Sequence, residues 1–241
     1  MKNSSTAIDL SRLDAITVQS AGLRRLDDST YASTLYANAD EFGMLGGYMR
    51  IRAAQELYWR KPSIPFVFCN GKSAKQIAKF GPDVPTDAEV YAKEFNRDLT
   101  QDERSQASSH TPAPKVFLED TSVNTVASIS ELFAMCAEQG WKYIGLVSSD
   151  YHIPRIEALC SLIFKKLGSK PVEITFISAE AIIKELRPGV YDNEIDAAYK
   201  TPAAQQRLKN EQNGCNDIAA GRYYIGEFQL ASNTSQDGRE R

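Results

Sequence analysis

Five short runs of apolar residues divide the chain, and each is bounded by polar or turn-forming residues. Short apolar runs of this kind are typical of strands, and the continuous run "IPFVFCNG" at 64–71 is typical of a strand that is buried on both faces of a sheet. The pattern therefore predicts strands at residues 14–22, 64–71, 115–119, 142–149 and 172–178.

Between these runs, apolar residues recur every three or four positions, which is the period of a helix with one buried face. Boundary signals support this interpretation. Thr86 and Glu89 form a capping-box pattern, and Pro154 and Gly168 stand at the two ends of another segment. The predicted helices cover residues 48–60, 86–99, 124–140, 154–168 and 179–187.

The alternation of strands and helices defines the expected fold class. It predicts a Rossmann-like three-layer α/β/α fold with a mainly parallel sheet of about five strands. We expect this domain to cover residues 1–190, a helical C-terminal extension to cover 191–230 and a disordered tail to cover 231–241. Residues 23–47 show no clean period and are predicted to be a long, partly helical loop, and residues 100–114 are predicted to be a surface loop.

Composition and charge exclude several classes of protein. The 241 residues, 42% hydrophobic and 24% charged, suit a globular chain with a sizeable core. A formal net charge of −3 gives no basic footprint for nucleic acid. The apolar runs are too short to span a membrane, and the N-terminal "MKNSSTAIDLSRLDAITV" lacks the apolar segment of a secretory signal. The oligomeric state is left open by the sequence.

The cysteines indicate a reducing environment. Cys69, Cys136, Cys160 and Cys215 are widely spaced and match no zinc-binding or redox motif. We therefore expect free thiols and a cytoplasmic location. The two histidines do not form a metal-binding pair, so no metal site is predicted.

The ends of the predicted strands carry the candidate binding residues. In open α/β sheets, ligands bind beyond the carboxyl ends of the strands, near the point where the strand order reverses. Glycine and serine let backbone N–H groups approach an anion there, and lysine or arginine supplies charge. The predicted ligand-binding residues are Gly22, Arg50, Asn70, Gly71, Lys72, Asn124, Thr125, Ser148, Ser149 and Arg155. The ligand expected from this set is a small molecule with a phosphate or carboxylate group.

Three further residues are candidates for catalysis. His152 lies three positions after the fourth apolar run and can change its charge near neutral pH, so it is the candidate general acid or base. Asp87 and Glu119 are candidates for orienting a base or a water molecule. If the chain is an enzyme, this set suits a hydrolase or a transferase.

Each of these positions also has an ordinary structural explanation. Asn124 stands where a helix N-cap belongs, and Asn70-Gly71 is a common turn sequence. His152 can be a loop residue bonded to the backbone, and Arg155 can pair with a nearby acid. The convergence of several strand ends on one edge is what favours a binding site.

Two familiar nucleotide-binding motifs are absent. The stretch "QSAGLRR" after the first strand lacks the Gly-x-Gly-x-x-Gly of a Rossmann dehydrogenase. The stretch "CNGKS" contains Gly-Lys-Ser, but Phe66 occupies the position where a P-loop has its first glycine.

The blocks "LEDTSVNT" and "VSSDYHIPR" carry a resemblance to a known family. Together with weaker blocks such as "DAITVQSAG", "FVFCNGK" and "TDAEVYAKEF", they resemble the domain-of-unknown-function family typified by YdcF, SanA and ElyC. The resemblance covers roughly residues 12–180. It implies a Rossmann-like fold with a pocket lined by these blocks, and nucleotide or S-adenosylmethionine as a candidate cofactor. Ala127 and Ser128 stand where the family has an acid and an amide.

Three functions remain open at this point. The chain is an enzyme acting on a small phosphorylated or nucleotide-like substrate, or a module that binds a nucleotide or S-adenosylmethionine without turnover. The third alternative is a structural or interaction protein whose pocket has degenerated, which the residues at 127 and 128 favour.

Overall fold

The computed structural model describes residues 8–27, 29–38, 43–102 and 112–223. Seven strands lie in this part of the chain, and most are short runs of valine, isoleucine and phenylalanine, as expected for buried strands. They are β1 Ala15–Gln19, β2 Leu23–Arg25, β3 Tyr31–Ser33, β4 Phe66–Cys69, β5 Val116–Glu119, β6 Tyr143–Ser148 and β7 Glu173–Ser178.

Helices follow the strands, and several begin and end where the boundary signals predict. They are α1 Gly47–Arg60, α2 Ala74–Phe80, α3 Asp87–Gln101, α4 Thr125–Gln139, α5 Ile153–Leu167, α6 Ala179–Leu186, α7 Asp192–Ala198 and α8 Pro202–Ala219. The capping box of Thr86 and Glu89 is formed at the start of α3. Gly140 and Gly168 end α4 and α5 in the left-handed conformation that glycine adopts most easily.

Five strands form one parallel sheet in the order β5-β4-β1-β6-β7. The chain builds outward from β1 to β4 and β5, then returns to the other side of β1 for β6 and β7. This return places the topological switch point between the carboxyl ends of β1 and β6. The predicted α/β fold class is confirmed, and all five strands of this sheet are parallel.

Two hydrophobic cores cover the faces of the sheet, because successive side chains of each strand alternate between the faces. On one face, residues such as Val18 and Phe68 pack with α1, α3 and α6. On the other face, residues such as Val67 and Leu146 pack with α4 and α5. The prediction of a strand buried on both faces at 64–71 is therefore correct for β4, in which every residue is buried, and every residue of β1 is buried as well.

The segment at 23–47 differs from the prediction of a partly helical loop. Its described residues form an antiparallel hairpin of β2 and β3, and α1 begins at Gly47. Asp27 supports the turn, since its carboxylate accepts hydrogen bonds from the N–H groups of Ser29 and Thr30. Strands of three residues are too short to show a period in the sequence, which explains the error.

The C-terminal region is helical, as predicted, and consists of α7 and α8 in the described residues. Helix α8 packs against α5. Most of the predicted loop at 100–114 and all of the predicted tail at 231–241 lie outside the described residues. Within the described part of the chain, no helix combines the length and the apolar character needed to cross a membrane.

Candidate functional site

The last residues of the five parallel strands form one polar row across the sheet. Gln19 is in register with Cys69, Cys69 with Glu119, and Ser148 with Ser178. Val18 pairs with Val147, so Gln19 lies beside Ser148. The parallel sheet thus brings the predicted strand ends to one edge, because its strands all end on the same side.

A cavity of about 170 Å³ opens at the carboxyl ends of β1, β4 and β5. It brings together six of the residues that the sequence predicts for a site, namely Gly22, Asn70, Gly71, Asp87, Asn124 and Thr125. It also includes residues that the sequence analysis did not select, namely Ser20, Met44, Ser73, Lys75, Gln76, Ser122 and Val123.

Asn70 and Gly71 form the floor of this cavity under unusual constraints. Asn70 has φ 96°, the left-handed region that residues other than glycine rarely adopt. Its side-chain Oδ1 is buried and has no hydrogen-bond partner among the described residues. A Cβ atom at Gly71 would lie 2.4 Å from the carbonyl oxygen of Asp120 and 2.6 Å from that of Ser122. Only glycine therefore lets the loops after β4 and β5 approach this closely.

Two helices frame the mouth of the cavity. Helix α4 begins at Thr125, and Asn124 caps it by accepting a hydrogen bond from the N–H of Ala127 at 3.0 Å. The structural explanation for Asn124 is therefore correct, and the same residue also lines the cavity. Helix α2 carries Lys75, an exposed cation. The capping box of Ser73 and Gln76, a Ser-x-x-Gln pattern, is the sequence signal that could have revealed α2.

Asp87 is the carboxylate in the lining of this cavity. Its side chain is buried, and its Oδ1 accepts a hydrogen bond of 2.7 Å from Nε2 of Gln76. The tie to α2 fixes the orientation of the carboxylate at the first turn of α3. Asp87 is thus the predicted catalytic residue that the structure places at the cavity.

Glu119 lies behind the cavity wall and is the centre of a hydrogen-bond network. The buried carboxylate accepts bonds from the N–H and the hydroxyl of Ser122, from the hydroxyl of Ser128, and from the N–H of Asn70. The hydroxyl of Thr121 adds a longer bond of 3.5 Å, and all five donors belong to the loops and the helix that follow β4 and β5. The arrangement therefore shows Glu119 shaping the cavity from behind, although its role in catalysis stays a prediction.

Arg50 occupies the topological switch point. Its guanidinium is completely buried and donates to the carbonyl oxygens of Gln19 and Ser20 at 2.7 and 2.9 Å. It also donates to the hydroxyls of Ser149 at 2.9 Å and Tyr151 at 3.1 Å. These partners are neutral, so the positive charge keeps its attraction for an anion next to the ends of β1 and β6.

Ser148 and Lys72 lie apart from the cavity. Ser148 is fully buried beneath α4 and α5, and its hydroxyl and the Nε2 of Gln19 have no hydrogen-bond partner among the described residues. Lys72 donates from Nζ to the carbonyl oxygen of Pro82 at 3.0 Å. The structure therefore does not bring these two predicted ligand-binding residues to the cavity.

His152 and Arg155 lie at the start of α5 under the C-terminal helix. The Nδ1 of His152 is 2.9 Å from Oε2 of Glu211, and Arg155 pairs with the same carboxylate at 3.6 Å. Burial lowers the pKa of His152 to about 4, although the hydrogen bond and the charge of Glu211 oppose this. Burial by itself would raise the pKa of Glu211. The hydrogen bond from His152 and the charges of the neighbouring arginines outweigh this effect and lower the pKa of Glu211 to about 2.

We expect His152 to make the protein less stable in weakly acidic solution. Its pKa in the folded chain lies below its ordinary value near 6.5, so the unfolded chain binds more protons between pH 6.5 and about 4. Stability should fall across this window as the pH falls, by up to about 1.4 kcal/mol per unit. Urea unfolding at pH 7, 6 and 5 measures the slope, and His152→Gln should flatten it. Equal slopes in both proteins would contradict the assignment.

A larger groove of about 1350 Å³ runs along the outer strand β7. Its lining comes from β7, the 3₁₀ helix Leu10–Arg12 and α6, so most of it flanks the sheet edge rather than the strand ends. Glu180 is part of this lining, and its carboxylate accepts hydrogen bonds from the hydroxyls of Tyr36 and Tyr199. These two hydroxyl groups hold the carboxylate in place.

Few of the described residues are suited to bind a metal ion or to act as a nucleophilic thiol. No group of three or more histidine, cysteine, aspartate or glutamate side chains is placed to hold a metal ion. All four cysteines are free, as expected, and burial raises the pKa of Cys69, Cys136 and Cys160. These three buried thiols therefore favour the protonated form, which is a poor nucleophile.

Three comparisons of this chain with known proteins found no match. No family model, curated protein or solved structure matches this chain. The resemblance to the family typified by YdcF, SanA and ElyC therefore stays a prediction.

Proposed function

We propose that this protein binds a small molecule through an anionic group at the cavity beyond β1, β4 and β5. The observation that carries the proposal is that this cavity is lined by six residues selected from the sequence alone for such a site. The cavity lies beyond the carboxyl ends of parallel strands, the edge at which ligands bind in folds of this class, and it is beside the switch point between β1 and β6.

The size of the cavity limits what it can enclose. Pockets that bury a drug-sized ligand usually measure about 300–1,000 Å³. A cavity of about 170 Å³ suits a phosphate or carboxylate group with a few further atoms. A nucleotide or S-adenosylmethionine would place only one end in the cavity and the rest outside it.

The polar groups around the cavity suit a ligand that carries an anionic group and also donates hydrogen bonds. Lys75 and the first turn of α4 supply positive charge, and the buried charge of Arg50 lies directly behind Ser20. Oδ1 of Asn70 and the carboxylate of Asp87 are acceptors, which suit hydroxyl or amino groups of the ligand. A hydroxylated phosphate or carboxylate compound meets both requirements.

Turnover, if it occurs, would depend on Asp87 rather than on His152. Asp87 lines the cavity, whereas His152 is 3% exposed and bound to Glu211. A positioned carboxylate can act as a general base on a water molecule or a hydroxyl group. The free thiols support a reducing, cytoplasmic setting as part of this proposal.

Lys75→Ala should weaken binding of the ligand about tenfold, because a hydrogen bond to a charged group contributes about 1.5–3 kcal/mol. The ligand is sought by isothermal calorimetry with sugar phosphates, nucleoside monophosphates, S-adenosylmethionine and inorganic phosphate. Lys79→Ala is the matched control, since Lys79 is an exposed lysine one turn further along α2 and outside the cavity lining.

Val123→Trp provides a second test of the same site. Val123 is 56% exposed at the cavity mouth, so a larger side chain there should block binding without disturbing the core. Binding that survives both Lys75→Ala and Val123→Trp would place the ligand elsewhere. If none of the compounds binds, the alternative of a structural protein with a degenerate pocket is favoured.

Asp87→Asn separates an enzyme from a binding module. The amide keeps an acceptor for Gln76 but removes the base. In an enzyme this change should reduce kcat by at least 100-fold. In a module without turnover it should change only the affinity.

A further inference from the structure

Val123 immediately precedes the N-cap residue of α4, a position at which an apolar side chain usually has a structural role. There it often packs against the fourth residue after the cap, an arrangement called a hydrophobic staple. Helix α6 has the residues of such a staple. Ile177 precedes its cap Ser178, and Ile177 and Ile182 are both buried in the same hydrophobic core.

Helix α4 has no staple of this kind. The fourth residue after its cap is Ser128, which is buried and donates a hydrogen bond of 2.8 Å to the carboxylate of Glu119. Val123 is 56% exposed and belongs to neither hydrophobic core of the described residues. The packing of α4 therefore does not explain why an apolar side chain stands at this position.

Met44 is a second apolar side chain in the lining of the cavity that Val123 also lines. It is half-buried and lies just before α1, which packs on one face of the sheet. Val123 lies before α4, which packs on the other face. The two apolar side chains thus reach the cavity on loops that lead to opposite faces. An unbranched methionine side chain adapts its shape to aliphatic and aromatic groups alike.

The small volume of the cavity gives these apolar side chains a use. An exposed valine by itself is common on protein surfaces. Here, however, a cavity of about 170 Å³ holds only one end of a larger ligand, and Asn70 and Asp87 supply polar acceptors for that end. The remainder of the ligand leaves through the mouth, where Val123 stands.

We propose that the ligand is amphipathic, with a phosphate or carboxylate end in the cavity and an apolar group in contact with Val123 and Met44. The inference rests on the proposed function, because it requires the anionic end to bind in this cavity. Each methylene group that binding removes from water raises the affinity about fourfold. Compounds that are polar throughout should therefore bind more weakly than those with an apolar group.

Isothermal calorimetry of the full chain with methyl, butyl and phenyl phosphate tests the inference without any variant. The three esters carry the same anionic group and differ in the apolar part. Butyl and phenyl phosphate should each bind at least tenfold more tightly than methyl phosphate, and their order tells an aliphatic chain from an aromatic ring. Acetate and pentanoate form the equivalent pair for a carboxylate ligand. Affinities within threefold of one another in both series would overturn the inference.

Val123→Ser assigns the gain to the mouth of the cavity. The change removes two methyl groups without adding charge, and it should reduce the preference for butyl over methyl phosphate from at least tenfold to threefold or less. Val190→Ser is the matched control, since Val190 is a 62% exposed valine between α6 and α7 and outside the cavity lining. It should keep the full preference. A preference that persists in Val123→Ser would contradict the inference.

The same titrations distinguish failure of this inference from failure of the proposed function. If methyl phosphate binds and Lys75→Ala weakens it, while the larger esters gain nothing, only the inference fails. If no member of either series binds at concentrations up to about 20 mM, the proposed function fails and the inference fails with it.

Discussion

Replacing Arg50 with lysine should lower the melting temperature by roughly 10 °C. The guanidinium joins the ends of β1 and β6 through bonds to two carbonyl oxygens and two hydroxyls in a fully buried position. A lysine ammonium is a point charge and cannot span these acceptors as a planar fork does. Buried polar groups left unpaired cost about 1–3 kcal/mol each, so we expect a loss of about 3 kcal/mol.

Differential scanning calorimetry measures this effect, and Arg60→Lys is the matched control. Arg60 lies at the end of the same helix, is 39% exposed and pairs with Glu185 at 3.7 Å. Exchange of an exposed ion-pair residue should change stability by no more than about 0.5 kcal/mol. A melting temperature for Arg50→Lys within 2 °C of that control would show that the switch point does not depend on the guanidinium.

Glu119→Gln should have the second large effect, a loss of about 2–4 kcal/mol. A carboxylate only accepts hydrogen bonds, and five donors converge on Glu119. A glutamine would turn its own NH₂ group toward some of those donors, which leaves buried groups unpaired. Since the donors hold Asn70 and Ser122 at the cavity wall, ligand binding should weaken with stability.

Urea unfolding measures the stability of Glu119→Gln, and Asp120→Asn is its control. Asp120 is the next residue along the chain and carries the same charge on a half-buried position. A catalytic Glu119 would give a different result: the variant would keep its stability and lose only kcat. That outcome would support the catalytic role that the sequence predicts for Glu119.

The structure separates the predicted site into three parts with different environments. Asn70, Gly71 and Asp87 line an open cavity, and Arg50 with Ser149 fills the switch point. His152 and Arg155 are held by Glu211 beneath α8. The sequence shows that all of these follow strands or begin helices, but it does not show which chain segment covers them.

Local patterns determined the class of the fold, because the signals involved act over a few residues. Buried parallel strands appear as apolar runs, and the caps at Thr86, Asn124 and Gly140 mark helix ends through contacts within one turn. The short strands β2 and β3 and the seven-residue α2 escaped detection, since elements of that length show too little periodicity.

The tertiary structure alone decided the character of the site. Glu211 lies 59 positions from His152 in the sequence, and Arg50 lies 99 positions from Ser149. Nothing in the local sequence indicates that a carboxylate on the last described helix pairs with a predicted catalytic histidine in a buried position. Burial and charge pairing depend on which distant segments meet. The sequence by itself therefore predicted a candidate site at the carboxyl ends of the strands, whereas packing decided which of its residues line the open cavity.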